Sequence, residues 1–278
     1  MQEGHVRLRL DVSYDGTEFS GWAVQPQRRT VAGVVTEALE RAFGPGVATG
    51  LTVAGRTDAG VHALGQVCHI DVPAEVWSER ADRLLRRLAG TLPRDVRVRT
   101  VTQVPPDFDA RFSATYRRYA YRVTDAAYGA DPLRRHDTLA WPRPLDLTAL
   151  NAAATSLLGE HDFAAYCRRK EHATTIRAIT RFDWRRDADG VLVATVAADA
   201  FCQAMVRSLV GAMLFVGDGR RPVSWPGSLL TRRERASEIT VAPPHGLTLV
   251  EVGYPADAAQ YAARAVLTRR LRLPSQSV

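Results

Sequence analysis

A mixed α/β (α+β) fold in two related halves is what this sequence predicts, on three observations. An order of strand, helix, strand, strand, helix, strand can be read from Arg7 to Val101, and a similar order recurs after Ala114. A Pro105-Pro106 step separates the two rounds. The chain has 278 residues, 46% hydrophobic and 24% charged, which are globular values at a length that supports more than one core. Each round has the order of a ferredoxin-like unit. The expectation is therefore two ferredoxin-like halves with mainly antiparallel sheets and a basic active-site cleft between them.

The elements follow in order. Val6, Leu8, Leu10 and Val12 alternate with polar residues, the period of a half-buried strand running to Tyr14. Val31, Val34, Val35, Ala38, Leu39 and Ala42 form one helical stripe over residues 31–43. A short strand at 51–54, a strand near 66–72, a helix at about 78–89 and a strand at 96–101 complete the first round. The second opens with a strand at 114–123 and a proline-rich connection from Asp131 to Pro144. A helix at 147–158, strands at 176–185 and 191–197, a helix from Cys202 to Phe215 and a strand at 247–252 follow. The domain boundaries expected are 1–107, 108–255 and a basic tail, 256–278, outside the core.

The net charge of +7 suits a polyanionic partner. Of 37 basic residues only Lys170 is lysine, so a general bias towards arginine accounts for part of that excess. The three cysteines, Cys68, Cys167 and Cys202, show neither Cys-x-x-Cys nor zinc-finger spacing and read as buried reduced thiols. The N-terminus lacks the apolar core of a signal peptide, and the apolar stretch 205–216 is too short to span a bilayer. The expectation is a soluble, cytoplasmic protein without a membrane partner.

The most informative stretch is Ala54-Gly55-Arg56-Thr57-Asp58-Ala59-Gly60-Val61-His62. It sets one carboxylate, Asp58, in a turn after a short apolar run, with the Arg56 guanidinium, a natural phosphate partner, two residues before it. Spacing alone serves two readings equally: a functional carboxylate, or the acid of an ordinary Asx turn. Tyr119 and Tyr121 share one face of a strand, and by sequence each is as readily core. Arg207 sits among Met205, Val206, Leu209, Val210 and Met213, where a charge needs either a partner or an escape to water. The chain has no Gly-x-x-x-x-Gly-Lys loop and no metal-ligand spacing.

Eight motifs in order then carry a resemblance. They are Tyr14-Asp15-Gly16-Thr17-Glu18-Phe19-Ser20-Gly21-Trp22, the Asp58 turn, Leu92-Pro93-Arg94-Asp95-Val96, Phe108-Asp109-Ala110-Arg111-Phe112-Ser113-Ala114, Arg117-Arg118-Tyr119-Ala120-Tyr121, Gly159-Glu160-His161-Asp162-Phe163, Met205-Val206-Arg207-Ser208-Leu209-Val210-Gly211 and Gly246-Leu247-Thr248-Leu249. Over residues 7–254 the chain resembles the bacterial tRNA pseudouridine synthase A family. Departures at Ala23, Ala89 and the segment after Cys167 avoid Asp58, Tyr119 and Arg207.

The resemblance implies isomerisation of uridine to pseudouridine at positions 38, 39 and 40 of the tRNA anticodon stem-loop, with no cofactor and no metal. It implies Asp58 as the catalytic aspartate, attacking sugar C1′ or base C6 of a flipped-out uridine. Arg207 becomes its ionic partner, Tyr119 the stacking tyrosine and possible acceptor of the C5 proton, and Leu247 an apolar wall. Arg56, His62 and Arg111 are the RNA contacts by motif, with Arg168 and Arg169 as further phosphate contacts, and the protein is expected as a homodimer. Two rivals compete. A glycosidase would need a second carboxylate, Asp71 or Glu160, about 5–9.5 Å away. A non-catalytic RNA-binding module would explain the charge but not the central acid.

Overall fold

The computed structural model describes residues 3–168 and 173–272. The chain forms two compact units. The first comprises the residues up to Thr115 together with Leu249–Arg270; the second is Tyr116–Thr248.

The first unit contains strand β1 (His5–Tyr14), helix α1 (Val31–Phe43), β2 (Thr49–Val53), β3 (His62–Pro73), α2 (Ala74–Thr91) and β4 (Val96–Val104). β1 lies between β4 and β3, antiparallel to both, and β2 pairs with the far side of β3. The order β4-β1-β3-β2 is that of a ferredoxin-like unit. Alternation in β1 puts Leu8, Leu10 and Val12 wholly inside, opposite Ile70, Cys68 and Gln66 of β3. Thr30 caps α1 by accepting the Gly33 amide at 3.3 Å, and the predicted stripe of that helix is buried except at Val34, which is half-buried. α2 begins four residues earlier than periodicity suggests, after Pro73 and without a side-chain cap.

The second unit contains β5 (Tyr116–Thr124), β6 (Leu139–Ala140), α3 (Leu147–Thr155), β7 (Gly159–Asp162), β8 (Ile176–Arg186), β9 (Leu192–Ala198), α4 (Met205–Gly217) and the single turn α5 (Trp225–Ser228). Its strands run in the order β5-β9-β8-β7, antiparallel at each pairing described, with β6 parallel to the end of β5. β5, β9 and β8 thus repeat the arrangement of β1, β3 and β2. α3 packs on β8 and α4. Asp146 caps α3 by accepting the amides of Thr148 and Ala149. α4 starts at Met205 rather than Cys202, because Ala204 takes a left-handed conformation (φ 63°) that closes the helix N-terminally.

Strand β10 (Leu247–Gly253) begins in the second unit and ends in the first, and α6 (Tyr261–Arg272) follows it. The basic tail expected outside the core is instead built into the first unit as far as α6. Ala265 and Thr268 are buried, and the Tyr261 ring meets Phe108 with centroids 5.2 Å apart. The apolar residues of α6 are not confined to one face, since Val266 and Leu267 are exposed while Ala265 is buried, so no clean stripe marks it as an element.

Behind β3, His69 sits in the core of this unit. Its Nδ1 accepts the Ala110 amide at 3.0 Å, and its edge faces the Phe108 ring. Burial, aided by Arg7 and opposed by Asp109 and Asp71, lowers its pKa to about 4. The unfolded chain takes up that proton near pH 6.5. Unfolded chains therefore bind more protons between these values, and stability is complete above about pH 6.5 and falls as pH drops towards 4. Chemical denaturation from pH 7 to 4 should show this slope in the parent and a flatter one in His69→Gln.

Candidate active site

In the first unit the Asp58 turn is held from both sides by buried hydrogen bonds. Gln66, with none of its surface exposed, donates from Nε2 to the Gly55 carbonyl at 2.8 Å and to the Tyr14 hydroxyl at 3.2 Å. The Tyr14 hydroxyl lies 2.8 Å from Thr57 Oγ1. The residues flanking Arg56 are thereby fixed, while Arg56 itself is exposed and Asp58 half-buried. The segment 15–22 backs the turn: Trp22 N–H donates to Thr57 O at 3.1 Å and Gly60 N–H to Phe19 O at 3.2 Å. That approach requires Gly16, where a Cβ would overlap the Val61 carbonyl. It also requires Gly21, at φ 98° and packed on the Thr57 carbonyl.

His62 is expected at an RNA surface, yet only 6% of it is exposed. Its Nδ1 accepts the Gly16 amide at 2.9 Å and lies 3.1 Å from Asp15 Oδ1. Arg111 is exposed, on the short segment after Phe108. Asp71, a candidate second carboxylate, is committed elsewhere: both its oxygens accept from Arg7 at 2.7 Å. Burial pulls the Asp71 pKa upward, but the Arg7 bonds and charge outweigh it and hold the carboxyl below its usual range.

The second unit places Tyr119, Arg207, Leu247 and Arg168. Tyr119 and Tyr121 face the same side of β5, opposite Val196 and Ala194. Tyr121 is wholly buried and donates its hydroxyl to the Pro243 carbonyl at 2.9 Å. Burial pushes that phenol far above its ordinary pKa against the pull of the Arg207 charge, so the proton stays on it. Tyr119 meets Phe201 edge-on at 5.3 Å and is 8% exposed. Arg207 leaves the apolar body of α4 and donates from Nε to the Ala242 carbonyl at 2.7 Å, while the Ala242 amide returns a bond to Arg207 O at 3.0 Å. One turn along, a Cβ at Gly211 would overlap the Thr240 carbonyl, so only glycine lets residues 240–242 lie against the helix. Leu247 starts β10 and is 5% exposed.

Cys167 and Cys202, expected as separate reduced thiols, form a disulfide with their Cα atoms 5.7 Å apart. Their separation of 35 residues matches no local spacing rule; folding alone brings the end of one 3-10 turn to the start of α4. Cys68 remains a free buried thiol whose pKa burial drives well up. Exposed Arg168, next to Cys167, donates its amide to Gln203 O at 3.0 Å. Arg169 lies outside the described residues. Among the described residues no three His, Cys, Asp or Glu side chains gather to hold a metal, and no helix is long and apolar enough to cross a membrane.

The sequence picked out Arg56 and Asp58 as neighbours on one turn, and Tyr119, Arg207 and Leu247 in the other unit. It missed Gln66, Phe201 and Ala242, which hold those residues. Gln66 carried one signal, a polar side chain at an inward position of a predicted strand.

A sequence model of the family described as tRNA pseudouridine synthase matches residues 12–113 and 153–255. The tRNA pseudouridine synthase A of Frankia casuarinae is 60% identical over 99% of this chain and 98% of its own. That of Streptomyces griseus is 58% identical over 98% and 95%, and that of Mycobacterium leprae 50% over 96% of each.

Two outcomes follow from these contacts. Tyr14→Phe removes the hydroxyl shared by Thr57 and Gln66 and should destabilise the fold by about 1–3 kcal/mol, measured by urea denaturation. Closing the loop between the two cysteines, 35 residues apart, stabilises by roughly 3–4 kcal/mol in the chain-entropy account. A thiol reductant should therefore lower the Tm by several degrees, and Cys167→Ser should abolish that sensitivity.

Proposed function

The chain belongs to the tRNA pseudouridine synthase family, and from that premise we propose that it isomerises uridine to pseudouridine at positions 38, 39 and 40 of the tRNA anticodon stem-loop, with Asp58 as the nucleophile. The enzyme is an isomerase. In the reaction the C1′–N1 glycosidic bond breaks, the uracil turns, and C5 joins C1′ as its proton departs. A single carboxylate suffices to hold the detached fragment covalently in between. The observation that carries this reading is the Asp58 turn: Gln66 holds its backbone at Gly55, Tyr14 holds the Thr57 hydroxyl, and the half-buried carboxylate follows exposed Arg56 in the chain and precedes buried His62.

Asp58 adds to the nucleotide at sugar C1′ or base C6. The target base must first leave the helical stack, at a cost of a few kcal/mol, which an aromatic platform offsets by about 1–3 kcal/mol. Tyr119 fits that platform and the role of C5 proton acceptor, because Tyr121 has its hydroxyl committed to Pro243. Leu247 supplies an apolar wall. Arg207, with Nε anchored on Ala242, takes the catalytic role that the resemblance gives it. Arg56, Arg111 and Arg168 serve as phosphate contacts, with Arg169 beside them, in keeping with the net charge of +7. His62, buried with its Nδ1 on the Gly16 amide, supports the turn from beneath rather than facing the RNA. The same resemblance supports a cytoplasmic homodimer. The glycosidase alternative is disfavoured by the commitment of Asp71 to Arg7.

Asp58→Asn keeps the volume of the side chain and removes the nucleophilic charge. Mapping pseudouridine in an unmodified tRNA transcript should find none formed by this variant, while titration shows tRNA affinity close to the parent's. Substantial turnover by Asp58→Asn would overturn the assignment, and free uracil as product would favour the glycosidase.

A further inference from the structure

Helix α6 lies beyond the residues matched by the family, which end at 255, yet its polar contacts converge on the segment that carries Arg111. Asp109 organises that segment. Its Oδ1 accepts the amides of Arg111 at 2.8 Å and Phe112 at 2.9 Å, so this carboxylate sets the backbone from which the arginine projects. Its Oδ2 accepts from Arg269 Nη2 at 2.9 Å. The Arg269 guanidinium also lies over the Phe112 ring, 4.4 Å from its centroid, and that of Arg111 lies 5.0 Å from the same ring. Further along, Ser113 Oγ donates to Tyr261 O at 3.1 Å, and Arg264 donates to the carbonyls of Ala114 and Thr115 at 3.3 and 3.4 Å.

These contacts divide by depth. Tyr261, Arg264, Ala265 and Thr268 dock the helix through buried or half-buried groups. Arg269 stands apart with 51% of its side chain exposed, and an exposed ion pair contributes little to folding stability. Its position has another effect. Asp109 is a negative charge two residues from Arg111, and unneutralised it would oppose a phosphate approaching that arginine.

We propose that Arg269 is a positioning residue for tRNA binding: through Asp109 and Phe112 it holds the Arg111 segment in the form that meets an RNA phosphate, and it cancels the carboxylate charge beside that contact. This rests on the reading of Arg111 as a phosphate contact. The C-terminal helix is then a working part of the RNA-binding apparatus.

The test titrates an unmodified anticodon stem-loop RNA into the full chain over a salt series, alongside melting temperatures and steady-state kinetics, for Arg111→Ala, Arg269→Ala, Arg269→Lys and the Arg111→Ala/Arg269→Ala double variant. Arg269→Ala should weaken binding about tenfold, the scale of one charge-assisted contact. It should lower the salt slope by about 1, raise KM with kcat unchanged and leave Tm near the parent's. Arg269→Lys should recover part of the affinity, since it keeps the charge but not the planar contact with Phe112. The double variant should bind no more weakly than Arg111→Ala alone. Parent-like binding by Arg269→Ala while Arg111→Ala binds weakly would overturn the inference and leave the reading of Arg111 standing. Additive losses would also overturn it, by making Arg269 an independent RNA contact. Parent-like binding by Arg111→Ala would overturn both.

Discussion

One buried amide side chain carries the geometry of the Asp58 turn in the first unit. Gln66 lies inside β3 opposite Val12 and reaches the Gly55 carbonyl and the Tyr14 hydroxyl together. A polar group at that depth is tolerated only when its bonds are made, and making them ties β1, β3 and the Asp58 turn into one unit. The pairing of β1 with β3 brings Tyr14 within reach, and Tyr14 in turn meets Thr57. The Asp58 turn thus stands on a braced platform rather than on a free loop.

The second unit reaches a similar end by another route. Its pinned side chain is charged, and the groups that hold it are backbone. Gly211 lets residues 240–242 run against α4, and the Ala242 carbonyl then fixes the Arg207 Nε. The same connection supplies Pro243 as acceptor for Tyr121, leaving the two tyrosines of β5 in different environments. The Tyr121 hydroxyl goes to that carbonyl, while the Tyr119 ring meets Phe201 edge-on.

Much of this was legible in the sequence, and the remainder was hidden for identifiable reasons. α1 matches its predicted range, because a capping threonine and a clean apolar stripe agree there. The turn glycines were visible as punctuation, though not the carbonyls they pack against. Polar four-residue β7 shows no period to read, and in α6 apolar residues such as Val266 and Leu267 are exposed while Ala265 is buried, so no single stripe marks that helix. The disulfide joins residues 35 apart, so it exists only once α4 is placed. Arg56 and Asp58 were found because motif and turn coincide. Gln66 was passed over because its role lies in bonds to residues 11 and 52 positions earlier.

The order of the segments has a consequence for synthesis. The first unit is completed only by Leu249–Arg270, after the whole of Tyr116–Thr248 has been made. At translation speeds of about 5–20 residues per second that interval lasts roughly 7–27 s. Throughout it the nascent first unit lacks β10, and part of the outer edge of β3 waits without the strand that will cover it. An uncovered edge is a template for unwanted pairing. The ribosome-bound chain is therefore exposed to misassembly until late in its synthesis.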